Sequence, residues 1–217
     1  MTQAAALAHF LSGALLLCGF ALLGQRRLSA MIALYRAEAL ILCAAAFAEG
    51  IAQHSADLFL CGIITLSFKA VLLPQALRRI LHRFNLTGAV QTTPPIGVSM
   101  VLGLTLTGIA VLALPPGPAS ATAYPDLALA LAVTLLGLLA MITRRNALAQ
   151  AIGFLSAENG LMLAAISLPG MRFTAPLSIA LLLLVALLLA GVSIFRLRDD
   201  LGQPDPAALE EIEGRAR

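Results

Sequence analysis

The chain has 217 residues, of which 60% are apolar and only 12% are charged, with a net charge of +3. A soluble domain carries about 25% charged residues, so an ordinary soluble globular protein is excluded. The basic residues fall as short doublets at the ends of apolar runs, where the positive-inside rule puts them, and that argues against nucleic-acid binding.

In chain order the apolar runs predict seven helical spans. They cover Ala4 to Gly24, Ser29 to Gly50, Leu58 to Leu77, Ile96 to Leu114, Leu127 to Ile142, Ala147 to Leu168 and Pro176 to Phe195. About 20 apolar residues of helix cross a hydrocarbon core of about 30 Å. The runs are continuous rather than alternating, which favours helices over a barrel. The first run is long for a signal peptide and lacks a basic flank before it, so it reads as the first span. The expected fold is an all-α, polytopic transmembrane bundle.

Arginines follow spans one, three, five and seven: Arg26 and Arg27; Arg78, Arg79 and Arg83; Arg144 and Arg145; Arg196 and Arg198. The other connections carry Asp57, Asp126 and a lone Arg172. This pattern puts the N-terminus outside and the C-terminus in the cytoplasm. Pro115-Pro116-Gly117-Pro118 reads as an external turn. The tail from residue 201 to 217, with Glu210, Glu211 and Glu213, reads as a solvated acidic segment.

Residues 1–84 and 127–200 each form a unit of three spans, joined by a connecting span and external loop over 85–126. Each unit has an Arg-Arg doublet between its first two helices and an Ala-Glu pair in the second, Ala37-Glu38 and Ala157-Glu158. Parallel repeats of this kind occur in transporters.

Four charged residues interrupt the spans: Arg36, Glu38, Lys69 and Glu158. A charge at mid-membrane costs about 2.5–3.5 kcal/mol on insertion scales, and such residues usually face protein or water and carry a task. Glu158 lies about 20 Å along the helix from Arg145, Glu38 about 16 Å from Arg27, and Lys69 about 13 Å from Arg78. Pro74 should kink the third span beside Lys69, since proline cannot donate to the carbonyl of Ala70. Lys69 either pairs with Glu38 to neutralise both or takes part in ion handling. Arg36 points away from Glu38 and either snorkels to the surface or serves a neighbouring subunit. Glu49, near the outer end of its span, is placed to reach water. Gly153, Ala157, Gly160 and Ala164 make a small-residue stripe suited to close helix packing.

Cys18, Cys43 and Cys61 have unrelated spacings within apolar runs, and His9, His54 and His82 are scattered at span ends. They form no cluster for haem, iron–sulfur or copper, and no phosphate-binding glycine loop occurs. No metal or cofactor is expected, and chemistry in this chain alone is confined to protons or ions.

The stretch Arg144-Arg145-Asn146-Ala147-Leu148, then Ile152-Gly153, then Glu158-Asn159, resembles the K subunit of respiratory complex I, a relative of the C subunit of multisubunit sodium/proton antiporters. That similarity covers roughly Leu127 to Arg198. Over its whole length the chain is similar to the hydrogenase-4 component E family. Arg27-Leu28-Ser29, Lys69-Ala70-Val71-Leu72-Leu73-Pro74, Arg145-Asn146 and Ile152-Gly153 through Glu158-Asn159-Gly160 carry that likeness. The resemblance implies a non-catalytic membrane subunit of an oxidoreductase complex in the bacterial cytoplasmic (inner) membrane. Its implied partners are antiporter-like and H-like subunits and a peripheral nickel–iron hydrogenase arm. Glu158, Lys69, Glu38 and Arg36 would lie on or near its proton path, with Asn159, Gly153, Gly160 and Pro74 as motif or packing residues. A stand-alone or Mrp-type cation/proton antiporter subunit is the alternative. Two departures stand out. The K family places its glutamate where this chain has Leu155, one helical turn from Glu158, and the seventh span has no acid. Glu158 therefore needs a polar neighbour from Lys69, from Glu38 or from another subunit.

Overall fold

The computed structural model describes residues 3–83, 90, 92–114 and 124–167. The span expected over Pro176 to Phe195, the Pro115 to Pro118 turn, Arg172 and the acidic tail lie outside these residues. All regular elements among the described residues are helices, with one isolated antiparallel bridge between Thr92 and Arg144.

The elements are α1 (Gln3–Gly24), α2 (Leu28–Gln53), α3 (Ala56–Ile64), a π-helical segment (Thr65–Leu72), α4 (Leu73–Arg83), α5 (Ile96–Ala113), α6 (Tyr124–Thr143) and α7 (Ala147–Ser167). α3, the π segment and α4 run on as one rod. The described residues thus hold six helical passes long and apolar enough to cross a membrane. The third pass is longer than the sequence suggests, extending over Ala56–His82 rather than Leu58 to Leu77.

The expected break at Pro74 takes the form of π geometry upstream of it. The Leu73 N–H bonds to the carbonyl of Phe68, five residues back. The next donor in that register would be Pro74, which has no N–H. The widened ladder therefore stops at the proline, and α geometry resumes. α2 ends at His54, whose φ of 50° turns the chain. The N–H groups of His54 and Ser55 both reach the carbonyl of Gly50.

Apolar side chains face outward: Leu17, Leu104, Leu112 and Ile142 are each more than 60% exposed. A soluble monomer rarely presents so large an apolar surface, whereas lipid tails accept it. α7 is the most enclosed pass, with 78% of its apolar window buried, and also the least apolar; α5 is the most peripheral, at 17%. Polar groups are drawn inward because hydrocarbon gives them no hydrogen bonds.

α1 packs on α2, α5 and α6, while α2 packs on α7 and on the rod. α6 and α7 form the closest pair. A Cβ on Gly153 would meet the backbone of Met141, one on Gly160 would meet Thr134, and one on Gly137 would meet the backbone of Ala157. The small-residue stripe of α7 thus does lie against a helix, and Gly137 supplies the answering gap on α6.

Gly137→Leu or Gly160→Leu should lower the melting temperature of the detergent-solubilised chain, by at least the about 1–3 kcal/mol typical of overpacking. Gly108→Leu, where an added Cβ meets nothing within 4 Å, should leave it unchanged. Equal melting of all three variants would refute the close α6–α7 contact.

Candidate functional site

Three passes bring their charged residues to one buried cluster. α2 presents Glu38, the π segment presents Lys69, and α7 presents Ser156, Glu158 and Asn159. Each of these five residues is no more than 2% exposed. Lys69 Nζ lies 2.5 Å from Glu158 Oε2 and donates to Asn159 Oδ1 at 3.0 Å. Asn159 Nδ2 donates to Glu38 Oε2 at 3.3 Å. Ser156 Oγ donates to Glu38 Oε1 at 3.0 Å.

Helix geometry explains the division of labour on α7. Ser156 and Asn159 are three residues apart and share a face, and that face meets Glu38 of α2. Glu158 is offset from them and meets the rod. The Asn159 carboxamide joins the two sides, since its oxygen accepts from the ammonium while its nitrogen donates to the second carboxylate. No single helix could assemble this set.

The cluster keeps unused capacity. Among the described residues Glu158 Oε1 has no hydrogen-bond donor, and Oε2 meets Lys69 as an ion pair without hydrogen-bond alignment. The Tyr35 hydroxyl, one turn before Glu38 on α2 and fully buried, also has no partner among them.

The sequence candidates separate clearly. Glu38, Lys69, Glu158 and Asn159 come together. Lys69 pairs with Glu158 rather than Glu38, so the polar neighbour that Glu158 needs comes from within this chain. Pro74 ends the π segment that carries Lys69. Gly153 and Gly160 serve packing. Arg36 is not in the cluster: it is exposed on the outer face of α2 and lines a groove with Ala70, Val71, Pro74, Gln75 and Arg78. Glu49 accepts from Gln53 at 2.9 Å. Sequence reasoning missed Ser156 and Tyr35. Ser156 was findable three residues before Asn159 in a glutamate-bearing helix, whereas nothing local marks Tyr35.

Arg144 departs most from expectation. The positive-inside pattern treats it as a loop residue, yet it is 1% exposed. Its guanidinium donates to the carbonyl of Leu22 at 3.1 Å, to that of Leu23 at 2.7 Å and to that of Gln25. Leu22 and Leu23 lie in the last turn of α1, where carbonyls lack intrahelical partners; Gln25 follows the helix, and its N–H reaches Leu22 O at 3.2 Å. Burial lowers the Arg144 pKa from its ordinary value, but a guanidinium still holds its charge and suits the negative end of the α1 dipole. Val90 and residues 92–95 complete this end of the bundle. The Val90 N–H reaches Arg26 O, the Thr93 N–H reaches Thr143 O, and Arg145 Nε donates to Thr93 Oγ1. At the opposite end His9 Nδ1 lies 2.8 Å from Asp126 Oδ1.

A curated protein of Mycobacterium tuberculosis, named "Uncharacterized protein Rv0085", is 32% identical to the chain over 215 residues, covering 95% of this chain and 96% of that protein. No protein-family model matches the chain. No solved structure matches it.

Removing one member of a buried ion pair costs about 3–5 kcal/mol, while replacing both by apolar groups is often close to neutral. Lys69→Met should therefore destabilise the chain more than Lys69→Met combined with Glu158→Leu. Thermal unfolding in detergent would measure this, and a double variant less stable than the single one would refute the pairing.

Proposed function

This chain belongs to the same family as the mycobacterial protein Rv0085, matched nearly end to end, and for this whole-length unit we propose a role as a non-catalytic membrane-arm subunit of a hydrogenase-4 or formate-hydrogenlyase-like complex. Its cluster of Lys69, Glu158, Asn159 and Glu38 takes part in moving protons. The single observation that carries this reading is the burial of two carboxylates around one ammonium.

Fully ionised, Glu38, Glu158 and Lys69 sum to one negative charge. An unbalanced charge at this depth is costly, and one added proton makes the cluster neutral. With Lys69 against Glu158, Glu38 is the carboxyl that holds that proton. The Ser156 hydroxyl can rotate to accept from it, being both donor and acceptor. A swing of Lys69 toward Glu38 releases that proton and leaves Glu158 to take one up. Asn159 sits between the two arrangements and can serve either. Electron transfer takes place in a peripheral nickel–iron arm, and antiporter-like and H-like subunits continue the path on either side.

In this reading the chain has seven spans, with the N-terminus outside and the C-terminus in the cytoplasm of a bacterial cell. The distribution of charge supports the orientation. Arg26, Arg27, Arg78, Arg79 and Arg145 gather at one end of the bundle, and Glu49, Asp57 and Asp126 at the other. The packing of α1 on α6 and of α2 on α7 suits two like-oriented units of three helices.

Glu158→Gln in the assembled complex should abolish or sharply reduce proton translocation while hydrogenase activity with a soluble electron carrier persists. Unchanged translocation with intact assembly would sink the relay role, and loss of assembly before any loss of coupling would assign the cluster to scaffolding. Purification in mild detergent tests the partners: a chain that never co-purifies with hydrogenase subunits, running alone as an oligomer, would favour the antiporter-subunit reading.

A further inference from the structure

The proton path leaves Arg36 without a task. Arg36 lines a shallow groove between α2 and the rod, together with Ala70, Val71, Pro74, Gln75 and Arg78. Arg36, Gln75 and Arg78 are exposed. No acid lines the groove, and neither arginine is in an ion pair among the described residues. Two guanidinium groups thus face outward beside exposed apolar side chains of the same two passes.

Depth and surroundings identify the occupant. α2 is about 39 Å long against a hydrocarbon core of about 30 Å, so its first turn projects beyond the core. Arg36 lies about 12 Å along α2 from Leu28, close enough to the interface for its side chain to reach back to headgroup level. Arg78 is five residues from the matching end of α4. On the far side of the groove from that interface the surface turns apolar: Leu40, Phe68, Val71 and Leu72 are each 40% or more exposed. The groove therefore offers two cations at headgroup level and a strip of lipid-facing carbon running inward from them.

We propose that this groove binds one anionic phospholipid of the cytoplasmic leaflet, with its phosphate held by Arg36 and Arg78 and its acyl chain lying along Leu40, Phe68 and Val71. Gln75 adds a neutral donor to the headgroup. Basic pockets between helices on the cytoplasmic side bind such headgroups in general, and a bidentate guanidinium suits a phosphate better than a point charge does. The proposal rests on the orientation given above and not on the proton path. One wall of the groove is the π segment itself, with Ala70 adjacent to Lys69, so the bound lipid sits against the element that positions the buried ammonium.

The full-length chain in detergent, titrated with phosphatidylglycerol and read by native mass spectrometry, should retain one lipid per chain. Phosphatidylcholine should be retained far less, and millimolar inorganic phosphate should not displace the bound lipid. Combined Arg36→Gln and Arg78→Gln should weaken retention by about tenfold or more, the scale of losing charged hydrogen bonds. Arg79→Gln, equal in charge change but outside the groove, should not weaken it. An unchanged melting temperature for each variant shows that the fold is kept, and Arg36→Lys with Arg78→Lys, restoring charge without the fork, should recover part of the retention. Equal retention by the double glutamine variant, equal retention of phosphatidylcholine, or displacement by inorganic phosphate would each overturn the proposal. So would an Arg36→Cys chain that cross-links to a co-purified subunit in a complex retaining no lipid, since a protein carboxylate would then be the occupant.

Discussion

The interaction on which the rest depends is the contact of Lys69 with Glu158 and Asn159. It joins the rod of α3 and α4 to α7, and through the Asn159 carboxamide it reaches Glu38 on α2. In a membrane interior no water is at hand to solvate a stray charge, so helix packings that bring the three ionisable groups together are favoured over the many that leave one of them isolated. That selectivity is itself a folding instruction. Apolar contacts among Leu, Ile and Ala tolerate sliding, because lipid offers the same dispersion partners as protein does. The charged cluster tolerates very little. It sets the register of α2, α7 and the rod relative to each other, and the apolar contacts fill in around it.

The close α6–α7 pair follows a complementary logic. Gly137, Gly153 and Gly160 let two backbones approach until a Cβ would collide. Without a hydrophobic force between helices in lipid, such intimate van der Waals contact is a main source of association. α6 and α7 therefore make a rigid platform, and α7 offers its polar residues from a fixed position. The rod opposite is built differently. Its π turns place Lys69 on the less regular of the two surfaces, in keeping with the frequent occurrence of π geometry at functional sites. A carboxylate on a closely packed helix pair faces a donor carried on an irregular helix.

Much of this was legible in the sequence. The six described passes stand where continuous apolar runs stand, because a period-free run of 20 such residues has few other uses. The embedded charges could be singled out for the same reason: against an apolar background Glu38, Lys69 and Glu158 are conspicuous. Partner choice was not legible. Whether Lys69 meets Glu38 or Glu158 depends on how three helices rotate about their axes, and that is fixed by long-range contacts with no local signature. Pro74 announced a disturbance but not its form, since a proline can end a π register as readily as it can bend an α-helix. Arg144 was misread because the rule that places arginines at the cytoplasmic end counts charges and says nothing about which of them turn inward.

That inward turn of Arg144 bears on the order of assembly. The side-chain donor to the last carbonyls of α1 lies roughly 120 residues downstream. Until α6 has crossed and the chain has turned toward α7, the end of α1 must be held by water or by lipid headgroups at the interface. The N-terminal helices can insert early but cannot reach their final state alone. The end of the first helix is thus completed only when the turn before the last described pass is in place.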